Sequence, residues 1–212
     1  DRMPKQNRVT PFSEIIATPA RGTLMGNRGC LHNTAGEIRR SYQVKRWIIC
    51  LLEFKGRHRT VMTPGHYTEL FFLDEATALA AGHRPCAECM YPRFKEFCQL
   101  WVQANPEYIG QEKLRVKLLD TVLHQQRLTT KREKATYNAP ITALPDGTFI
   151  IYGPTKQPHL ISGTYLFPWS PAGYQSPSIR SQTGDAEVLT PLSVVRTLSL
   201  GYRPVLHASV TL

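Results

Sequence analysis

The spacing of apolar residues predicts strands in the first third of the chain. The run 46–54 is too apolar for a half-exposed strand, so we place it at the centre of a sheet. A basic turn at 55–59 is followed by a short return at 60–62, which together predict a hairpin. Residues 67–73 add a third strand, and the pattern changes after them.

Helical periodicity begins where these strands end. Asp74 suits the N-cap of a short alanine-rich helix, and Gly82 suits the left-handed residue that closes it. Residues 92–104 place apolar side chains three and four positions apart, which predicts an amphipathic helix with a core-facing aromatic stripe. A further helix is expected over 114–128, where apolar residues recur at the same spacing.

The last third of the chain returns to β character. Short apolar runs are separated by turn signals such as Pro145-Asp146-Gly147, which predict a small curled sheet or partial barrel. The whole pattern predicts an α+β fold with three parts: an α+β domain over 1–106, a helical connector over 107–134 and a β-rich domain over 135–212. The first and last parts can also pack as one unit.

One segment combines a helix stop with a pair of cysteines. Pro85, directly after Gly82-His83-Arg84, prevents the helix from resuming before Cys86-Ala87-Glu88-Cys89. Two thiols at this spacing form half of a tetrahedral zinc site, and the alternatives are a redox pair or two buried cysteines. Near the end of the chain, Gly201-Tyr202-Arg203-Pro204-Val205 repeats the phrase without its cysteine, which indicates a second helix exit of the same kind.

Residues 68–92 resemble the zinc-binding domain of the Ada-type proteins, which repair methylphosphotriesters in DNA. The matching positions are Phe71, Phe72, Ala76, Ala78, Ala81, Gly82, Arg84, Pro85, Cys86 and Cys89. The resemblance implies that Cys86 and Cys89 are zinc ligands and that the first part of the chain is a small zinc-stabilised β-sheet. It also places His83 where that family carries an aromatic core residue.

The other zinc ligands are expected upstream, in the glycine- and arginine-rich segment 21–33. Cys30 and His32 are the preferred candidates, because Cys3His is a common structural set and both residues stand in one loop. His66 is the alternative to His32. Ada-type domains carry an upstream Cys-x-x-x-Cys pair that supplies the methyl acceptor, whereas this chain has Cys30 alone there, which argues against methyl transfer.

The charge of the chain suggests a partner. The 212 residues carry 26 Lys and Arg against 16 Asp and Glu, and residues 1–134 hold 22 of these cations against 13 of the acids. This concentration favours nucleic acid, most simply DNA, and a solvated basic surface is the alternative. The residues expected to contact phosphate are Arg21, Arg28, Lys55, Arg57 and Arg59.

Cysteine usage and hydropathy indicate the compartment. The chain has five cysteines and shows neither a secretion signal nor an apolar stretch long enough to span a bilayer. We therefore expect a cytoplasmic protein without a disulfide framework or a membrane partner. Cys50 and Cys98 lie within apolar patterns and fit small buried residues.

The leading interpretation is a zinc-binding, nucleic-acid-binding protein that acts in DNA repair, modification or defence against foreign DNA. One alternative is an enzyme, possibly a nuclease, in which the zinc is structural and the pocket lies between the two halves. Its candidate groups are Asp120, His124, Arg127, Asp146, Trp169 and His207. Another alternative is an interaction protein that uses the zinc and the β-rich part to display a binding surface.

Overall fold

The amino-terminal sheet has six strands. The computed structural model describes residues 3–211. In chain order the strands are β1 (Gln6–Val9), β2 (Ile15–Ala17), β3 (Leu24–Asn27), β4 (Ile48–Cys50), β5 (Leu70–Phe72) and β6 (Arg84–Pro85). Across the sheet they run β2-β1-β5-β3-β4-β6, and the pairs β1 with β5 and β4 with β6 are parallel. The apolar run that begins at residue 46 therefore supplies an interior strand, as its composition predicted.

The carboxy-terminal sheet has seven strands and is antiparallel. Its members are β7 (Tyr137–Pro140), β8 (Phe149–Tyr152), β9 (Gln157–Ser162), β10 (Tyr165–Ser170), β11 (Gly173–Tyr174), β12 (Ser178–Ile179) and β13 (Asp185–Val188). They run β11-β10-β9-β8-β13-β7, with β12 paired to β10. Together with the helices, the two sheets confirm the predicted α+β fold class.

Four α-helices connect and cover the sheets within the described residues. They are α1 (Glu75–Ala80), α2 (Tyr91–Ala104), α3 (Val116–Arg127) and α4 (Leu192–Ser199). Short 3-10 turns occupy Pro106–Tyr108 and Ile141–Ala143. The cap of α1 is the predicted one, because Asp74 Oδ1 accepts a hydrogen bond from the Thr77 backbone N–H at 2.9 Å.

The hydrophobic core is shared between the two halves of the chain. One cluster joins Phe72 of β5 and Trp101 of α2 to Leu123 of α3 and Leu198 of α4. A second cluster joins Ala76 of α1 to residues of the carboxy-terminal sheet. The helix expected in a connector thus packs into the main core, and the amino- and carboxy-terminal parts cover each other's apolar surface.

The hairpin expected over 46–62 does not form. The strand β4 ends at Cys50, and residues 60–62 lie in turns instead of returning beside it. The reason is that β3 and β6 already pair with the two edges of β4, which leaves no edge for a return strand. The chain after Cys50 turns away, with Lys55 and Gly56 both at positive φ.

Candidate metal centre and its basic surroundings

Three cysteines meet where β4 and β6 end. The two strands pair in parallel, and the Cys86 backbone N–H donates to the Ile49 carbonyl at 2.9 Å. Because Cys50 ends β4 and Cys86 follows β6, the parallel register places these residues side by side. Cys89 completes the group, and the sulfurs of Cys50, Cys86 and Cys89 all lie within 4.8 Å of one another. We call these three residues the cysteine cluster.

Backbone amides support two of the sulfurs. The Glu88 N–H lies 3.3 Å from Cys86 Sγ, and the Leu51 N–H lies 3.4 Å from Cys89 Sγ, so each amide donates to sulfur. Such donors favour the thiolate form, which is the form that binds metal. They also fix the directions of the two sulfurs. The segment from Pro85 to Cys89 is therefore a shaped corner with two thiol groups turned toward Cys50.

The three thiols of the cysteine cluster differ in pKa. A hydrogen bond from the Cys50 thiol lowers the pKa of Cys86 to about 5. The same bond, together with burial, raises the pKa of Cys50. Burial also raises the pKa of Cys89. Cys86 is thus the thiolate of the cluster near neutral pH, and a nearby cation is needed to bring the other two sulfurs into their charged form.

The donor set fits a soft divalent metal. All five cysteines of the chain are free thiols, so the three clustered sulfurs are available for coordination. Three sulfurs that converge within 4.8 Å can occupy three corners of a tetrahedral site such as those of structural zinc. The cluster also lines a cavity of about 510 Å³, and Cys30 lines the same cavity.

Of the two predicted upstream ligands, Cys30 lines the cavity of the cysteine cluster, whereas His32 is buried and contacts other residues. Cys30 lies in the wall of this cavity, where its backbone N–H donates to Gln43 Oε1 at 2.8 Å and its thiol lies 3.7 Å from the His32 carbonyl oxygen. The imidazole of His32 is buried, with Nδ1 2.6 Å from Thr68 Oγ1 and Nε2 3.1 Å from the Thr63 carbonyl oxygen. Both ring nitrogens are therefore engaged by the fold, and Cys50 lies with Cys86 and Cys89 instead of His32.

The two other histidines considered for the site also lie outside the cysteine cluster. His66 is exposed in the turn between Gly65 and Tyr67. His83 is completely buried, with its ring 4.7 Å from that of Phe72 and 5.3 Å from that of Trp47. Its ring therefore belongs to the core and does not face the cysteine cluster.

Arg28 supports the fold and cannot reach a phosphate. Its side chain is fully buried, with Nε donating to His83 Nε2 at 2.9 Å and Nη1 donating to the Ser13 and Ser41 carbonyls at 3.1 and 3.2 Å. The guanidinium also lies 4.0 Å from the ring centroid of Trp47. Burial lowers the pKa of Arg28 to about 9. The prediction that this residue contacts nucleic acid is incompatible with these contacts.

The other predicted phosphate contacts lie at the surface. Arg21, Lys55 and Arg57 are exposed, and Arg59 is half-buried. Arg57 and Arg59 line the cavity of the cysteine cluster, and so does Arg46, which the sequence analysis did not select. Their orientation is partly fixed, because Arg57 pairs with Glu88 at 2.6 Å and Arg59 Nη1 lies 2.7 Å from Met25 Sδ.

The residues proposed for an enzyme pocket are engaged in separate structural contacts. Asp120 accepts two hydrogen bonds from Arg84, at 2.9 and 3.1 Å. His124 and Arg127 contact each other at 2.8 Å. The remaining contacts join Asp146 to the Gly163 backbone, Trp169 to Thr77, and His207 to Ser209. These contacts hold the fold together and do not converge on one centre.

Two residues of the candidate site were missed for different reasons. Cys50 lies inside a strongly apolar run that continues through Leu51 and Leu52, so its composition suggested only a buried side chain, and its place in the cluster depends on the parallel pairing of β4 with β6. Arg46 is the first residue of the same run and carried no motif. The predicted strand 46–54 extends beyond Cys50, so no local signal distinguished this cysteine from a core residue.

The remaining findings concern membranes and relatives. Within residues 3–211, no helix has the length and apolar character needed to cross a bilayer. A scan against protein-family models finds no match, and neither a search of curated proteins nor a search of solved structures returns a match.

Proposed function

We propose that this chain is a zinc-binding protein that binds nucleic acid beside its metal, in DNA repair, modification or defence. The observation that carries the proposal is the cavity in which the cysteine cluster and three arginines share one wall. Thiol groups supply the ligands for the metal, and guanidinium groups supply donors for phosphate. The Ada-like segment that contains Cys86 and Cys89 agrees with both parts of this proposal.

Zinc is the proposed metal because the donors are thiols. Soft sulfur ligands select zinc over magnesium, calcium and manganese, which prefer oxygen. Cys50, Cys86 and Cys89 would hold the ion, and Cys30 is the proposed fourth ligand because it lines the same cavity. When bound, zinc would link β4 to the corner after β6 through its sulfur ligands. It would also stabilise the thiolate form of all three cysteines, whose pKa values differ without the metal.

Nucleic acid is the proposed partner because the metal site has a cationic rim. Arg46, Arg57 and Arg59 line the cavity, and Glu88 is its acidic member. Part of this charge balances the thiolates of the metal site. Arginines at the mouth of an open cavity can also bind phosphate through forked hydrogen bonds, which lysines do not provide. The exposed Lys55 and Arg21 extend the cationic surface beyond the cavity.

Metal content tests the first part of the proposal. The purified wild-type protein should contain one zinc ion per chain by elemental analysis, and the variants Cys50→Ser and Cys86→Ser should lose most of it. Cys98→Ser is the matched control, because Cys98 is a partly buried cysteine of α2 that lies outside the cluster. A wild-type protein without metal, or equal zinc in Cys50→Ser and Cys98→Ser, would contradict the proposed centre.

Salt-dependent binding tests the second part. A labelled DNA duplex or single strand should bind the zinc-loaded protein with an affinity that falls as salt rises. The double variant Arg46→Ala with Arg57→Ala should weaken binding by about tenfold, whereas Lys113→Ala with Lys131→Ala removes the same charge from exposed positions outside the cavity. Equal losses in the two double variants would show that only the net charge matters.

A further inference from the structure

The cavity beside the cysteine cluster is the first of three that adjoin one another. Arg57 and Arg59 line both this cavity and a second one of about 240 Å³. Leu52 and Phe71 line both the second cavity and a third one of about 300 Å³, where Arg8 and Arg21 also lie. The shared lining residues place the three cavities side by side in a row, which we call the basic track.

Cations outnumber acids along the basic track. Each section contains at least two arginines, and His58 adds a titratable group in the middle section. The acids that line it are Glu53, Glu69 and Glu88. Glu69 is buried and accepts a hydrogen bond from the Met62 backbone N–H at 2.6 Å, and Glu88 is paired with Arg57, so these two are already engaged.

The far end of the basic track holds two guanidinium groups together. Arg8 and Arg21 line one cavity, and burial, followed by repulsion from the positive charge of Arg21, lowers the pKa of Arg8. Among residues 3–211, no carboxylate lines the cavity that they share. Arg8 is held by Ala20 O through its Nε at 2.6 Å, so its position is fixed by the backbone. An anion between the two groups would relieve the repulsion.

Aromatic rings accompany the arginines. The Arg8 guanidinium lies 5.1 Å from the ring centroid of Phe71, and Arg57 lies 5.4 Å from that of Phe54. Tyr67, in the wall of the first cavity, is 38% exposed. Planar guanidinium groups and exposed rings are the surfaces on which unpaired bases stack. A basic groove with such rings is typical of single-strand binding, because a duplex keeps its bases stacked inside.

We propose that a single-stranded segment of nucleic acid lies along the basic track, from the cysteine cluster at one end to Arg8 and Arg21 at the other. This inference rests on the proposed nucleic-acid function and adds the strandedness and the path of the partner. Phosphates contact the arginines of successive sections, and bases contact Tyr67 and Phe71. The length of strand that the protein covers then exceeds what the first cavity alone can hold.

Strand length and a variant at the far end test the path together. The zinc-loaded full chain is titrated with fluorescent oligo-deoxythymidylate of 3 and 12 nucleotides and with a 12-base-pair duplex. We expect the 12-mer to bind most tightly. Arg21→Ala should weaken the 12-mer by about three- to tenfold and reduce the slope of log affinity against log salt by about 1, while the trimer is unaffected. Lys113→Ala, an exposed control outside the basic track, should change neither.

The outcomes separate the path from the function on which it rests. Tighter binding of the duplex than of the 12-mer, or an unchanged 12-mer affinity in Arg21→Ala, overturns the path while nucleic-acid binding stands. Absence of binding by all three probes at low salt overturns the proposed nucleic-acid function, and the path with it. Arg21 is exposed, so its replacement does not endanger folding.

Discussion

The helix exits after α1 and α4 are built alike, but only the one after α1 leads to a candidate metal site. After both α1 and α4, the glycine N–H donates to the carbonyl three residues back, and the next N–H donates to the carbonyl five residues back. Gly82 and Gly201 take φ of +96° and +109°, so both exits are Schellman motifs. The aromatic residue that follows is buried in each, His83 in one and Tyr202 in the other.

The exits differ in what lies beside the next residues. Arg84 is buried and pairs with Asp120, whereas Arg203 is exposed and donates at 3.4 Å to a backbone carbonyl. The first exit continues as β6, which pairs with β4 and brings Cys86 next to Cys50. The second continues to Val205, which is 60% exposed. A rigid helix exit alone therefore makes no metal site, and the neighbouring strand supplies the third sulfur.

Removal of the metal should give the largest difference between the exits. Because zinc binding free energy in such sites, about 10 kcal/mol, is also folding free energy, a chelator should lower the melting temperature of the wild type by about 10 °C or more. Cys50→Ser should melt at one temperature with or without the chelator. The double variant Val205→Cys with Ala208→Cys, which copies both cysteines of the first exit at the second, should gain no zinc. The measurement is thermal unfolding with elemental analysis.

Two outcomes would contradict the role given to β4 and to the metal. If the double variant Val205→Cys with Ala208→Cys bound a second zinc ion, the exit with its two cysteines would be sufficient for metal binding. If the chelator left the wild-type melting temperature unchanged, the cysteine cluster would contribute no metal-linked stability.

The sequence predicts the parts of the site that depend on local geometry. The cap at Asp74, the left-handed Gly82 and the stop at Pro85 act within a few residues, so they locate Cys86 and Cys89 correctly on a rigid corner. Cys50 depends on parallel pairing between strands far apart in the chain, and no local pattern reports that pairing. His32 was preferred because Cys3His is a common ligand set and His32 shares a loop with Cys30, but its two ring nitrogens contact Thr68 Oγ1 and the Thr63 carbonyl oxygen.

Charge counts have a similar limit. They give the number of arginines in the first part of the chain but not which of them reach solvent. Arg28 is buried against Trp47, whereas Arg46, one residue before that tryptophan, lies in the cavity wall. Exposure depends on the tertiary packing of the segment between β3 and β4. The cationic character of the region could thus be predicted, but not its individual contacts.

Replacement of the arginines at the two exits should give the next largest difference in stability. Arg84→Ala leaves Asp120 buried without its partner, which should cost about 3 to 5 kcal/mol of unfolding free energy. Arg203→Ala removes an exposed side chain and should cost less than about 0.5 kcal/mol. Urea denaturation of both variants measures the difference. Similar losses of unfolding free energy in the two variants would mean that the ion pair between Arg84 and Asp120 does not stabilise the fold.

Replacement of the glycines at the two exits should give a smaller difference in unfolding free energy. Gly201→Ala places a side chain in the left-handed region with open space around it, which should cost about 1 to 2 kcal/mol. Gly82→Ala carries the same penalty, and its Cβ would also lie 2.5 Å from Cδ of the buried Arg127. We therefore expect a larger loss of stability and weaker zinc binding in Gly82→Ala alone. Urea unfolding and a zinc competition assay measure these effects, and equal losses would exclude the contact with Arg127 as a cause.

The smallest expected difference between the exits is in how their aromatic residues change stability as the pH falls. Burial, followed by the charge of Arg28, lowers the pKa of His83 well below its usual value of 6.5. The folded protein keeps this imidazole neutral, whereas the unfolded chain takes up a proton as the pH falls below about 6.5. Stability from His83 is therefore complete above that pH and is lost below it, by at most about 1.4 kcal/mol per pH unit.

Variants at the two aromatic positions isolate this effect. His83→Phe should be less stable at every pH, because Arg28 Nε loses its acceptor, but its unfolding free energy should fall less steeply between pH 7 and 5.5. Tyr202→Phe alters the matching position of the second exit without a group that titrates in this range, so it should keep the wild-type slope. Parallel curves for His83→Phe and the wild type in excess zinc would mean that the buried imidazole is not a source of the acid sensitivity.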